Sequence, residues 1–166
     1  MDSNFEKFEP TDQSKRKARS HKPLLKLLVF SIGKLNLALR LEFVKKIIPQ
    51  LPVYSSGLSH LGIAHVDGHE VTIIDLHQRL FKTSLTDDHA RYQYLIIAHN
   101  QQQEEFGIPL IDTPNLVEVT LDQVRILPDS YRRGDTLAIA SHVTVIPQGS
   151  SSMTIFLLDV ETLLSN

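Results

Sequence analysis

Period-two alternation is the clearest signal in the first half of the chain. Leu35, Leu37, Leu39 and Leu41 alternate with Asn36, Ala38 and Arg40, which sends four leucines to one face of an extended strand, because successive strand side chains point to opposite sides. Just before them, the apolar run Leu27-Leu28-Val29-Phe30-Ser31-Ile32 closes on Gly33-Lys34, so residues 27–41 read as a hairpin. Residues 43–48 predict a third short strand or a turn of helix, stopped by Pro49, which lacks the N–H that pairing requires. A loop containing proline, serine and glycine runs on to His60. The apolar runs 61–66 and 70–74 then flank Asp67-Gly68, a pair suited to the positive φ angles of a tight hairpin turn. Asp75 follows, where a short helix carrying Leu76 and Leu80 needs its N-cap.

The second half follows the same grammar more loosely. Residues 92–99 predict a strand, 100–105 a polar turn, and 106–111 a return strand that Pro109 confines to an edge or a bulge. Residues 121–127 predict another. Leu137-Ala138-Ile139-Ala140 echoes Leu61-Gly62-Ile63-Ala64, and Phe156-Leu157-Leu158-Asp159-Val160 with Leu164 echoes Thr72-Ile73-Ile74-Asp75-Leu76 with Leu80. Two related lobes explain the repetition, one over about 24–82 and one over about 90–166, with the polar stretch 82–89 between them.

Composition narrows the class. A chain of 166 residues, 42% hydrophobic, is long enough to bury roughly 68–70% of its unfolded surface, so it is expected to fold. It has no cysteine, which removes disulfides and thiolate metal sites and leaves a reduced cytoplasm as the expected compartment. No apolar run reaches the ~18 residues of a membrane span, and the polar start lacks the apolar core of a signal peptide. Residues 1–23 are expected to form a disordered basic arm, because Lys15, Arg16, Lys17, Arg19 and Lys22 sit among few large apolar residues. Of 17 basic and 19 acidic residues, six and four fall in residues 1–22, which leaves the body acidic at 11 against 15. That balance disfavours a nucleic-acid footprint.

Eight histidines raise the question of a metal. His65 and His69 straddle the tight turn and could meet across it, but a third ligand from Asp75 or His77 lies at the far end of the strand, so no metal is expected. There is no nucleophile elbow, phosphate loop or dinucleotide fingerprint. Asp75 and Asp159 occupy matching strand-to-helix junctions, which makes them helix caps rather than paired catalytic acids. Neither an enzyme nor a cofactor is expected.

Read in order, these segments resemble the CheW-like family of chemotaxis adaptors. The resemblance rests on Leu28-Val29-Phe30-Ser31-Ile32-Gly33, Leu37-Ala38-Leu39, Val44-Lys45-Lys46-Ile47, Leu61-Gly62-Ile63, Gly68 and Val71-Thr72-Ile73-Ile74-Asp75-Leu76. It implies an all-β fold with short helices, two fused five-stranded SH3-like barrels, over residues 24–166. It also implies a non-enzymatic scaffold with two partners, the regulatory domain of a CheA-type histidine kinase and a methyl-accepting chemoreceptor-type protein, with no nucleic acid and no membrane insertion. The partner-binding positions it suggests are Leu41, Val44, Ile47, His65, Asp67 and Gly68. Where the family commonly carries an Asn-Leu-Arg-Gly turn, this chain reads His65-Val66-Asp67-Gly68, so a cationic position has become anionic and the facing partner residue is expected to be Lys or Arg. An SH3- or OB-like module binding RNA or a ribosomal component through the basic arm is the alternative, against which the acidic body and the scarcity of stacking aromatics count.

Overall fold

A computed structural model describes residues 22–56, 58–82, 91–132 and 137–165. Apart from Lys22, Pro23 and Lys82, the expected arm and inter-lobe connection lie outside the described residues. The elements run β1 (Leu24–Ile32), β2 (Leu35–Arg40), a 3-10 turn (Leu41–Phe43), β3 (Val44–Pro49), β4 (Leu61–Val66), β5 (His69–Ile74) and α1 (Leu76–Phe81). The second series is β6 (Tyr94–His99), β7 (Glu105–Leu110), β8 (Asn115–Thr120), a 3-10 turn (Leu121–Gln123), β9 (Val124–Ile126), α2 (Asp129–Arg132), β10 (Ala140–Gln148), β11 (Ser151–Leu158) and α3 (Val160–Leu164).

The strands make two curled sheets, the two-lobed SH3-like architecture expected. Barrel 1 has the order β8-β1-β2-β11-β10-β9 and barrel 2 the order β3-β6-β7-β5-β4. The first therefore has six strands rather than five. The counterpart of β9 in barrel 2 is a single bridge, Tyr54 to Ile63.

Neither barrel is continuous in sequence. Hairpin β1–β2 pairs with β8 on one side and, in parallel, with β11 on the other. Hairpin β6–β7 pairs with β3 and, in parallel, with β5. Each half thus lends its first hairpin to the other half's barrel, and the sheets do not divide between 24–82 and 90–166.

The amphipathic alternation of the strands explains the three cores. Even-numbered β1 residues Leu28, Phe30 and Ile32 join Leu37 and Leu39 of β2 against Ile96, Ala98, Phe106, Ile108 and Leu110, filling the layer between the barrels. Odd-numbered Leu27 and Val29 face into barrel 1 with Ala38, Val119, Ile155 and Leu157. Barrel 2 is filled by Ala64, Val66, Val71, Ile73, Leu95 and Ile97. Burying a Leu, Ile or Phe side chain stabilises by about 1.5–3 kcal/mol, so the shared layer is the main reason for the barrels to stay together.

Both predicted caps form. The Asp75 carboxylate accepts the Gln78 N–H at 3.2 Å, and that of Asp159 accepts the Glu161 N–H at 3.1 Å. The backbone N–H of Asp75 donates to His60 O and that of Asp159 to Ile139 O, which sets the true equivalence at His60 with Ile139. The echo of Leu61–Ala64 in 137–140 is accordingly three residues out of step, and β10 starts only at Ala140.

Three other expectations needed correction. Leu41 leaves the strand for the 3-10 turn. Residues 121–123 form a second such turn, with Gln123 Oε1 accepting the Thr120 N–H at 2.9 Å, and β8 was not foreseen. Pro109 lies in an interior strand rather than at an edge or bulge. It is tolerated because the parallel ladder to β5 involves only Phe106 and Gly107, leaving that flank of the strand free at Pro109.

Candidate partner-binding surface

Strand β3 carries Val44 and Ile47. Simple alternation would put residues three apart on opposite faces, but the register to β6 runs Val44 with Ala98, Lys46 with Ile97, and Ile47 with Ile96. Lys45 is the extra residue of a β-bulge, and such bulges re-aim side chains. As a result Val44 and Ile47 both share the face of Ala98 and Ile96, which is the side of the inter-barrel layer. Val44 packs against that layer, whereas Ile47 remains 42% exposed. Leu41 is half-buried in the preceding turn. Beside it, Arg40 pairs with Glu42 at 2.6 Å and lies over the Phe43 ring, 5.9 Å from its centroid. The combination is an apolar step bounded by exposed charge.

The same bulge turns Lys46 to the inner side of barrel 2, where its ammonium pairs with the Asp67 carboxylate. Asp67 and Gly68 adopt φ angles of 50° and 84°, the positive pair that a two-residue hairpin turn requires. The hydrogen bond from Lys46 holds the exposed Asp67 carboxyl below its ordinary pKa. The anion of the turn thus has a cation within the chain, Lys46.

Next to this pair, Glu105 Oε1 accepts from Lys45 Nζ at 3.0 Å and stands 3.5 Å from His69 Nε2. The Lys45 bond is the main cause of its lowered pKa. His65 lies apart from this network. It pairs with Glu70 while His69 pairs with Val66, so the two histidines occupy opposite faces of the hairpin and do not meet across it. The His65 ring instead packs edge-on to Tyr54, with centroids 6.3 Å apart. Of the six suggested positions, the fold brings Val44 and Ile47 to one face and ties Asp67 and Gly68 to β3 through Lys46. His65 belongs to a separate outer patch with Tyr54 and Ile63, exposed by 65% and 43%.

Two candidates escaped the sequence reading. Leu116, 66% exposed, pairs with Leu28 and therefore lies on the inter-barrel side of barrel 1. Leu24, 57% exposed, shares that face. The alternation of Leu116, Glu118 and Thr120 against Val117 and Val119 was the signal available.

The arrangement is that of a small two-barrel β protein with apolar, charge-rimmed strand faces, the class to which adaptor modules belong. The CheW-like domain model matches residues 26–166, and the chain belongs to that family, one of scaffolds in chemotactic signal transduction. Among solved structures, the scaffolding protein TtCheW from Thermoanaerobacter tengcongensis is similar, with a TM-score of 0.68 at 15% identity, covering 89% of this chain and 92% of that one. No curated protein is significantly similar in sequence. Among the described residues, no helix is long and apolar enough to cross a membrane.

Proposed function

We propose that the protein is a non-enzymatic cytoplasmic adaptor that couples a methyl-accepting chemoreceptor-type sensor to the regulatory domain of a CheA-type histidine kinase. The observation that carries this reading is the family match over 26–166. The β3 face supports it, because an exposed Ile47 beside a half-buried Val44 offers an apolar anchor of the kind an amphipathic helix docks against. In this reading Leu41 extends that surface from the preceding turn, while Asp67 and Gly68, beside Lys46 on the other face of β3, and His65 through the Tyr54 patch contribute separate contacts. Rim charges govern which partner is accepted more than how tightly it is held.

The test is affinity capture of the full chain from its native cell, followed by titration with the purified kinase regulatory domain and receptor tip. A kinase and a receptor should co-purify. Ile47→Glu should weaken receptor-tip binding at least tenfold, consistent with loss of one buried apolar anchor, while the melting curve stays near wild type. Co-purification of RNA and no signalling protein would overturn the proposal.

A further inference from the structure

The two barrels differ at one end in a way their shared architecture does not require. Register relates them position by position. Asn36 pairs with Ser31 and Ile155, and Glu105 with His99, in hairpins that stand at the same place in each sheet. Asn115 is opposite Val29 as Lys46 is opposite Ile97, and Met153 is opposite Ile146 as His69 is opposite Val66. In barrel 2 these inward-facing positions hold His99, Glu105, Lys46 and His69, and ion pairs from Lys45 to Glu105 and from Lys46 to Asp67 span the end, with the His69 ring 3.5 Å from Glu105. In barrel 1 the same positions hold Ser31, Asn36, Asn115 and Met153, all uncharged.

That end of barrel 1 opens into a cavity of about 890 Å³, within the size of small-molecule sites, which also favour barrel mouths. Its lining includes an apolar floor of inward-facing Val29, Val117, Ile146 and Met153 and a polar collar of Ser31, Asn36, Asn115 and Gln148, and it extends over the barrel edge to Phe30, Leu35 and Phe156. Among the described residues, the charged groups lining it are Lys34 and Asp112, which carry opposite signs. Among the described residues, the collar side chains make one hydrogen bond to each other, a long one from Ser31 Oγ to Asn36 Oδ1 at 3.4 Å. Asn36 and Asn115 flank β1 on either side, roughly 10 Å apart across the strands and offset by two residues, roughly 7 Å, along them. Each amide offers donors and an acceptor together.

From this geometry we infer that the mouth of barrel 1 is a binding site for an uncharged small molecule with an apolar body and an amide-like donor–acceptor edge. The floor takes the body, and the amides of Asn36 and Asn115 take the edge. Lys34 and Asp112 line the cavity with opposite signs, so neither an anion nor a cation meets a net counter-charge there, while either would lose its water.

The experiment is a methyl-resolved NMR titration of the full chain with benzamide, benzoate and benzylammonium, which share a ring and differ in charge. Benzamide should shift the methyl signals of Val29, Val117, Ile146 and Met153, with the two ions at least tenfold weaker. Asn36→Leu and Asn115→Leu should each weaken benzamide by roughly fivefold, the worth of about one hydrogen bond. Asn115→Asp, which keeps the side-chain shape, should invert the order in favour of benzylammonium. Shifts that are absent at tens of millimolar, equal for the three probes, or unchanged in the asparagine variants would overturn the inference.

Discussion

Lys46 and Asp67 illustrate how a single side chain changes meaning once its neighbour is known. In the sequence Asp67 is a turn residue with a reversed charge, and only the bulge at Lys45 brings the Lys46 ammonium to it. Lys46→Met should therefore raise the Asp67 titration midpoint toward its ordinary value, followed through the carboxyl carbon by NMR, while the fold persists because the pair is exposed and such pairs add little stability. Glu105 makes a complementary prediction. Its carboxyl pKa is lowered in the folded state, chiefly by the Lys45 hydrogen bond. A depressed folded pKa means the contribution to stability is present above the ordinary value of 4.5 and is lost as pH falls through the folded one. Urea unfolding from pH 6 to pH 3 should show a steeper decline for wild type than for Glu105→Gln.

Among the elements, the strand-to-helix junctions were legible because an N-cap is a local device. Asp75 and Asp159 announce themselves by type and position, and both bond as expected. They are not equivalent, however. Asp75 Oδ1 also accepts the Tyr92 hydroxyl at 2.8 Å, and burial together with this bond raises the tyrosine pKa. Asp159 Oδ2 likewise accepts the Thr162 hydroxyl at 2.9 Å, but that hydroxyl can rotate to another acceptor, so Asp159→Ala should cost about 1 kcal/mol, mainly the lost cap. Asp75→Ala should cost more, by roughly a further 1 kcal/mol, since the Tyr92 hydroxyl is fixed at the end of a largely buried ring and is left without its acceptor. Chemical denaturation of the two variants side by side checks the difference. Strand β8 was missed for the converse reason, because Pro114 and the preceding loop obscured an alternation that becomes unmistakable only when β1 supplies its partner.

For the whole molecule, the reciprocal exchange of hairpins has a direct consequence. Barrel 1 takes β1 and β2 from the first half and β8 to β11 from the second, and barrel 2 mixes the halves in the opposite sense. Neither half alone then possesses a complete sheet or the inter-barrel layer built on Leu37, Leu39, Phe106 and Ile108. Fragments 1–86 and 87–166, expressed separately, should each lack cooperative unfolding. Mixed together they should recover one transition, read by circular dichroism and near-ultraviolet signal. Independent folding of either fragment would show that the exchange is not what holds the barrels together.

What the chain determines by itself is what depends on near neighbours: the Leu35–Leu39 alternation, the Asp67-Gly68 turn, the two aspartate caps, and the ordered set of segments that marks the family. These follow from side-chain period, backbone φ preference and hydrogen bonds across two or three residues, all of which are written locally. Tertiary structure alone decided which hairpin joined which sheet, because pairing Asn36 of β2 with Ile155 of β11 spans 119 residues, and Thr72 of β5 with Phe106 of β7 spans 34, with the same apolar faces on offer. It also decided that Val44 and Ile47 share a face, since the bulge exists only relative to β6. The open mouth of barrel 1 belongs to the same category: Ser31, Asn36 and Asn115 are ordinary polar residues near turns until three strands carry them to one collar. The physical reason is that a strand specifies two faces but not its neighbour, and the neighbour is chosen by burial summed over the whole core.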